Sequence, residues 1–168
     1  MLFRSFEQEH FDSAAVMIHG FNVEEVDFSD ASSIEDVERL IKRNIRGIAP
    51  GTLRDNARQI WRLISLRPGD LVVLPAKSPD HEDEVWLGVV KGAYRHDKRR
   101  TLPSYIPVTW HQPPLHRSDF ESGGWNAFER STGEFTRNQT YWELRDPRIA
   151  NVIASKLGLK LDDMAAEG

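Results

Sequence analysis

The stretch that decides the fold is Arg54–Pro75, which reads RDNARQIWRLISLRPGDLVVLP. Apolar residues recur at helical spacing in its first part, so we predict a helix over Leu53–Ser65 that begins at a Thr52 cap. A turn at Arg67–Asp70 follows, because proline, glycine and aspartate all favour turns. The continuous apolar run Leu71–Pro75 is typical of a strand buried on both faces.

Apolar periodicity also predicts the other helices and strands. Ser33 and Asp36 form a capping pair in front of a helical pattern that Gly47 and Pro50 would end. Pro107 interrupts a predicted strand, which indicates an edge strand or a bulge because proline lacks the amide hydrogen. The predicted strands are 14–21, 85–90 and 105–110, and the predicted helices are 34–41 and 147–157, the last ended by Gly158.

Strands follow one another at short intervals between residues 70 and 110, and helices precede and follow them. Hairpin-like spacing of this kind favours an antiparallel or mixed sheet over a doubly wound parallel one. We therefore predict an α+β fold, a small and partly closed mixed β-barrel flanked by helices. A chain of 168 residues suits one domain, which we place at residues 1–161, with residues 162–168 as a frayed tail.

The composition excludes several classes of site. The chain has no cysteine, which excludes disulfides, thiol catalysis and cysteine-based metal centres. No apolar run approaches the ~20 residues that span a bilayer, and residues 1–10 lack the order of a signal peptide. We therefore expect a cytoplasmic protein with no membrane partner. His96, His111 and His116 lack the spacing of a histidine metal site, so no metal and no cofactor is expected.

The charge is unevenly divided along the chain. The formal net charge is −4, but residues 1–40 carry −8, residues 41–117 carry +7 and residues 118–168 carry −3. A basic segment attracts phosphate by long-range Coulomb forces even within an acidic chain.

Three arginines recur every four residues along one side of the predicted Leu53–Ser65 helix, opposite its apolar residues. They are Arg54, Arg58 and Arg62. Such a ridge is either a solvated helix face or a surface that faces a phosphate backbone.

The order of the pieces around Arg54–Pro75 carries a family resemblance. The segment begins with a polar helix that contains Asn, Arg and Gln, and continues with a Pro-Gly-Asp turn and an apolar strand. After it come Trp86–Tyr94 (WLGVVKGAY) and Tyr105–Trp110 (YIPVTW). Over residues 52–110 this pattern resembles the EVE domains of the PUA-like group, which also includes YTH and ASCH modules. It looks still more like the amino-terminal module that precedes Mrr-type nuclease domains in restriction proteins.

The resemblance implies a compact barrel whose pocket accepts a flipped-out base. We therefore predict a non-catalytic nucleic-acid-binding module that recognises a modified base for a restriction or antiviral defence system. The resemblance favours DNA over RNA, and it implies a nuclease subunit or a fused effector domain as a partner.

A protein that holds a base outside the stack needs positive charge for the backbone, aromatic faces for the base and hydrogen-bonding groups for its edge. The predicted pocket residues are Asn56, Gln59, Trp61, Trp86, Tyr94, Tyr105 and Trp110. The predicted backbone-binding residues are Arg54, Arg58, Arg62, Lys91, Arg95, Lys98, Arg99 and Arg100. Each also has a structural interpretation: the tryptophans as core residues, and the amides and cations as solvated surface.

Two other functions stay open at the level of the sequence. The acidic residues 1–40 suit a protein-interaction or regulatory module of a defence system. ASCH-type relatives include hydrolases of RNA and of modified nucleosides, so an enzyme is a further alternative. The chain contains no Glu-x-Lys or Asp-x-Lys triplet of the kind that restriction nucleases place around magnesium, so a nuclease is not predicted.

Overall fold

The computed structural model describes residues 14–18, 23–75, 84–120 and 147–158. Two predicted segments lie outside the described residues, namely the tail 162–168 and residues 19–21 of the first predicted strand. The chain divides into two compact units. The first consists of residues 1–72 and 88–110, and the second consists of residues 73–87 and 111–168.

The described residues form three α-helices and six strands. The helices are α1 (Ile34–Asn44), α2 (Pro50–Ile64) and α3 (Pro147–Leu157). The strands are β1 (Ala15–Met17), β2 (Leu71–Pro75), β3 (Glu84–Val90), β4 (Arg95–His96), β5 (Ser104–Trp110) and β6 (Leu115–His116). Their order in the sheet is β1-β5-β3-β2, and every pairing with a described register is antiparallel. The α+β class and the antiparallel sheet are confirmed.

Helix α1 is set by its amino-terminal cap. The Ser33 hydroxyl accepts the Asp36 amide hydrogen, and the Asp36 carboxylate accepts from the amide and hydroxyl of Ser32. Lys42 and Arg43 occupy the last turn, where cations favour the carbonyl end of the helix. The predicted helix is confirmed, and it continues to Asn44 before Gly47 adopts a φ of +77°.

Helix α2 begins three residues earlier than predicted. Ala49 is its amino-terminal cap residue and makes no side-chain cap, so the prediction that Thr52 caps this helix is wrong. Pro50 starts the helix because its fixed φ suits the first helical position and its missing amide hydrogen would have no partner there. Leu53, predicted to be the first helical residue, already donates its amide hydrogen to Ala49 at 2.9 Å.

The turn and the strand after α2 lie where the sequence predicts them. The Arg67 amide donates to the Asp70 carboxylate at 2.7 Å, the Asp70 amide donates to the Arg67 carbonyl at 3.0 Å, and Gly69 takes a φ of +99°. In β2, however, Leu71–Leu74 are only partly buried, so the prediction of burial on both faces is wrong. Among the described strands, β2 comes last in the sheet order and has β3 as its one neighbour.

Pro107 lies in the middle of the sheet and not at its edge. It pairs with Ala15 of β1 on one side, and on the other side its carbonyl accepts the Lys91 amide at 2.8 Å. The nitrogen of a strand residue points the same way as its carbonyl, so the missing amide hydrogen faces the segment 91–94. That segment is the break between β3 and β4. The expectation of an edge strand is therefore wrong, and β5 runs unbroken through Pro107. The interruption lies in the opposite strand, between β3 and β4.

The described core of the first unit is mainly aliphatic. Its largest fully buried residues are Ile18, Val23, Phe28, Val37, Ile41, Ile60 and Ile106. In the second unit, α3 has the bounds that the sequence predicts, and Gly158 follows it with a φ of +66°. Lys156 of α3 pairs with Asp119 at 2.7 Å.

Gly88 permits a close approach of β3 to its neighbours. An added Cβ would lie 2.8 Å from Val72 Cγ2 and 2.9 Å from Trp110 Cζ3. We therefore expect Gly88→Ala to lower the free energy of unfolding by about 1–3 kcal/mol, because the packed side chains must move. Denaturant unfolding measures this change.

Gly51 in α2 provides the matched control, since an added Cβ there meets nothing within 4 Å. Gly51→Ala should leave the unfolding midpoint unchanged or raise it, because alanine favours the helix by ~0.5–1 kcal/mol. Equal midpoints for wild type and Gly88→Ala would contradict the packing described at Gly88.

Candidate functional site

A cavity of about 250 Å³ in the first unit combines residues from three segments. The loop after Val26, the last turn of α2 and the break between β3 and β4 each contribute to its wall. The lining residues are Phe28, Ser29, Ala31, Trp61, Ile64, Ser65, Ala93 and Tyr94. Three of the eight are aromatic and none is charged, so the cavity suits a flat, uncharged group.

Helix α2 places Trp61 at the edge of its buried face. Ala57 and Ile60 are fully buried on that face, and Trp61 is partly buried beside them. Ile64 and Ser65 lie three and four residues further on, so they are neighbours of Trp61 on the helix surface. The last turn of α2 therefore supplies one continuous wall.

Tyr94 is another aromatic residue of the lining, and both its hydroxyl and its ring have described partners. Its hydroxyl accepts the Phe28 amide hydrogen at 3.1 Å and lies 2.8 Å from the Ser104 hydroxyl. Its ring meets the Phe28 ring edge to face, with centroids 6.4 Å apart. Burial raises the pKa of Tyr94 above its ordinary value, although the hydrogen bonds with Ser104 and Phe28 act in the opposite direction.

Asp27 organises the loop beside the cavity. Its carboxylate accepts hydrogen bonds from the amide and hydroxyl of Ser29, at 2.9 and 2.6 Å. Burial alone would raise the pKa of Asp27, but these hydrogen bonds and the nearby His96 and Lys98 outweigh it, and the pKa is lowered. Ser29 is therefore held in the cavity wall by a carboxylate that stays ionised.

The arginine ridge of α2, defined as Arg54, Arg58 and Arg62, is exposed to solvent. Arg54 lies 3.9 Å from Glu38 and Arg58 lies 3.8 Å from Asp55. The two arginine side chains are 63% and 51% exposed, and such pairs contribute at most ~1 kcal/mol. Both guanidinium groups can therefore exchange these partners for a phosphate at little cost.

The ridge begins within one helical turn of the cavity. Arg58 precedes Trp61 by three residues, and Arg62 precedes Ser65 by three residues, so these two arginines are surface neighbours of lining residues. Arg54 lies one turn before Arg58.

A second set of cations lies on the β4–β5 hairpin. Arg99 donates two hydrogen bonds to the Asp97 carboxylate, each of 2.9 Å, and these bonds lower the pKa of Asp97 to about 2. Arg100 stacks on the Tyr105 ring, with its guanidinium carbon 3.9 Å from the ring centroid. Its Nη1 is buried and has no hydrogen-bond partner among the residues that the structure describes. The hairpin therefore presents one arginine that is paired with a carboxylate and one whose guanidinium is oriented by an aromatic ring.

The structure brings two of the seven predicted pocket residues, Trp61 and Tyr94, into this cavity. Asn56 and Gln59 lie in α2 and are 9% and 5% exposed, among its buried residues. Tyr105 packs against Ala15 and Leu102.

The remaining two tryptophans and three predicted cations have other surroundings. Trp110 is buried in contact with Gly88. Trp86 belongs to the second unit, where its indole nitrogen donates to Glu84 at 3.2 Å. The three cations, all exposed, are Lys91, Arg95 and Lys98.

Sequence reasoning missed the contribution of the acidic loop. Phe28 and Ser29 line the cavity, yet they lie in a stretch, Glu24–Asp30, that the sequence predicts only as a loop or edge. The sequence signal that could have indicated Phe28 is an aromatic residue within an acidic stretch, as in Val26–Asp30 (VDFSD).

A second cavity, of about 340 Å³, lies around the connection between α1 and α2. It is lined by Lys42, Ile45, Arg46, Gly47, Ile48, Pro50 and Leu53. It has no aromatic side chain with which to stack a base, so the cavity at Trp61 and Tyr94 is the better candidate site for one.

Comparison of the chain with protein-family models, curated proteins and solved structures finds no match. Among the described residues, no three histidine, aspartate or glutamate side chains are arranged to hold a metal ion. In the same part of the chain, no helix has both the length and the apolar character to cross a bilayer.

The raised pKa of Tyr94 predicts a late component in a tyrosine titration. Its unfolded counterpart ionises near 10, so the unfolded chain loses this proton first and stability falls as pH rises from about 10 through the folded pKa. In spectrophotometric titration of the tyrosinate band, we expect Tyr94→Phe to remove a component that ionises above the ordinary tyrosine value. Superimposable normalised curves for wild type and variant would contradict the environment described for Tyr94.

Proposed function

We propose that the chain is a nucleic-acid-binding module that holds a flipped-out base in the cavity between Trp61 and Tyr94. The observation that carries this proposal is the adjacency of two features: an uncharged aromatic cavity and, within one helical turn of it, the exposed arginine ridge. A base requires stacking surfaces and its backbone requires cations, and α2 supplies both from one short segment.

The size and lining of the cavity favour a nucleobase over a larger ligand. Its volume of about 250 Å³ lies below the ~300–1,000 Å³ typical of sites for drug-sized molecules. Stacking on an aromatic side chain is worth ~1–3 kcal/mol per base, which is comparable with the few kcal/mol needed to unstack it. Ala31, Ile64 and Ala93 add an apolar surface that suits a base bearing a small modification.

Two groups of cations support binding of a phosphate backbone. In the ridge, Arg54 and Arg58 are held by weak, exposed ion pairs. On the β4–β5 hairpin, Arg100 already stacks on Tyr105, so its guanidinium loses little side-chain entropy when it binds a phosphate oxygen.

The resemblance of residues 52–110 to EVE domains, together with the α+β fold, supports a PUA-like barrel as part of the same proposal. On this basis the target is DNA more than RNA, the activity is binding without catalysis, and the setting is a cytoplasmic restriction or antiviral defence system. A nuclease subunit or a fused effector domain would then act on what this module recognises.

The first test reverses two charges of the ridge. Arg54→Glu combined with Arg58→Glu should abolish binding near ~150 mM salt. At lower salt, where binding can still be measured, the slope of log affinity against log salt should fall by about two, one per phosphate contact. Electrophoretic shifts with labelled oligonucleotides that carry methylated, hydroxymethylated or unmodified bases, single- and double-stranded, measure this.

The matched control is Lys42→Glu combined with Arg43→Glu. These two exposed cations lie on α1 and give the same change in net charge. An equal loss for both double variants would show general electrostatic attraction, and an unchanged shift for the ridge variant would rule out its role in backbone binding.

The second test removes one stacking surface. Trp61→Ala should weaken binding of the preferred oligonucleotide about 5- to 150-fold, which corresponds to the ~1–3 kcal/mol of one stacked base. Trp61→Phe keeps an aromatic ring and should recover most of that loss. Equal affinities of wild type and Trp61→Ala, measured by fluorescence anisotropy, would exclude the cavity as the base site.

A further inference from the structure

A hydrogen-bond network behind the cavity converges on one buried hydroxyl. Ser104 is fully buried at the start of β5, and its Oγ has three partners: the Val26 carbonyl at 3.1 Å, the Tyr94 hydroxyl at 2.8 Å and His96 Nδ1 at 3.0 Å. All of these residues belong to the first unit.

One assignment of donors and acceptors satisfies all three contacts of Ser104 as hydrogen bonds. A carbonyl only accepts, so the single Ser104 hydrogen is donated to Val26. The other two partners of Ser104 must then donate to its lone pairs. The Tyr94 hydroxyl can do so because it accepts the Phe28 amide hydrogen and has its own hydrogen left. His96 must carry a hydrogen on Nδ1.

The other nitrogen of His96, Nε2, is buried and has no hydrogen-bond partner among the described residues. The contact with Ser104 therefore decides which nitrogen carries the hydrogen, and it places that hydrogen on Nδ1.

We propose, building on the base-binding function above, that His96 and Ser104 are positioning residues that hold the Tyr94 ring in the cavity wall. Neither residue lines the cavity. They act through the Tyr94 hydroxyl, which Ser104 holds directly and His96 holds through Ser104, so that the ring does not have to be ordered when a base binds. Ordering a free side chain costs about 2- to 10-fold in affinity.

The first measurement needs no ligand and reads the wild-type protein, with one variant used only to assign signals. Long-range ¹H–¹⁵N spectra of the imidazole rings distinguish the two neutral tautomers, and His96→Asn identifies the His96 signals among the six histidines. We expect the hydrogen on Nδ1. A hydrogen on Nε2 would overturn the proposal, because Nδ1 could then not donate to Ser104.

The second measurement follows the Tyr94 ring directly. The chain has three tyrosines, so a 3-fluorotyrosine-labelled protein gives few ¹⁹F signals, and Tyr94→Phe assigns the relevant one. In His96→Asn the side-chain amide can donate in place of Nδ1, and the Tyr94 signal should stay in place. In His96→Leu, which cannot donate, the signal should move or broaden. Equal spectra for these two variants would overturn the positioning role.

Oligonucleotide binding separates this proposal from the function on which it rests. With the oligonucleotide that the wild type prefers, His96→Leu should bind about 2- to 10-fold more weakly and His96→Asn as the wild type does. Wild-type affinity in His96→Leu would overturn the positioning role. Absence of binding by the wild type would overturn the proposed function, while the tautomer and fluorine results would still decide whether His96 holds Tyr94.

Discussion

The missing amide hydrogen of Pro107 is the constraint on which the site depends. Because Pro107 lies in the middle of β5, the strand opposite cannot continue its ladder of hydrogen bonds and breaks at residues 91–94. Ala93 and Tyr94 lie in this break, outside the strands, and both line the cavity. A residue with an amide hydrogen at this position would favour an unbroken strand, whose side chains alternate between the two faces.

The helices and strands could be predicted from local sequence patterns, whereas the cavity could not. The capping pair of Ser33 and Asp36, the Pro-Gly-Asp turn and the bounds of α3 are local signals, and the structure has each where the sequence places it. The cavity instead joins Phe28 to Trp61 and Tyr94, which lie far apart in the chain. The apolar periodicity of the sequence carries no information about contacts between such distant residues, because these contacts depend on which strands pair and where a strand breaks.

The errors have equally specific causes. Thr52 resembles a cap, but Pro50 starts the helix before it, since proline is favoured at the first helical position. Asn56 and Gln59 are polar, yet they face the buried side of α2, because helical geometry and not polarity decides which side a residue occupies. The basic residues look alike in the sequence, although Asp97 pairs with Arg99 while an aromatic ring orients Arg100.

The central claim is that a base enters between Trp61 and Tyr94, and indole N–H resonances test it most directly. Titration with an oligonucleotide should shift the Trp61 Nε1–H signal in ¹H–¹⁵N spectra, because ring currents of a stacked base act over a few ångströms. The signal of Trp110, which is buried against Gly88, should stay where it is. A Trp61 signal that does not move at saturating oligonucleotide would contradict the account.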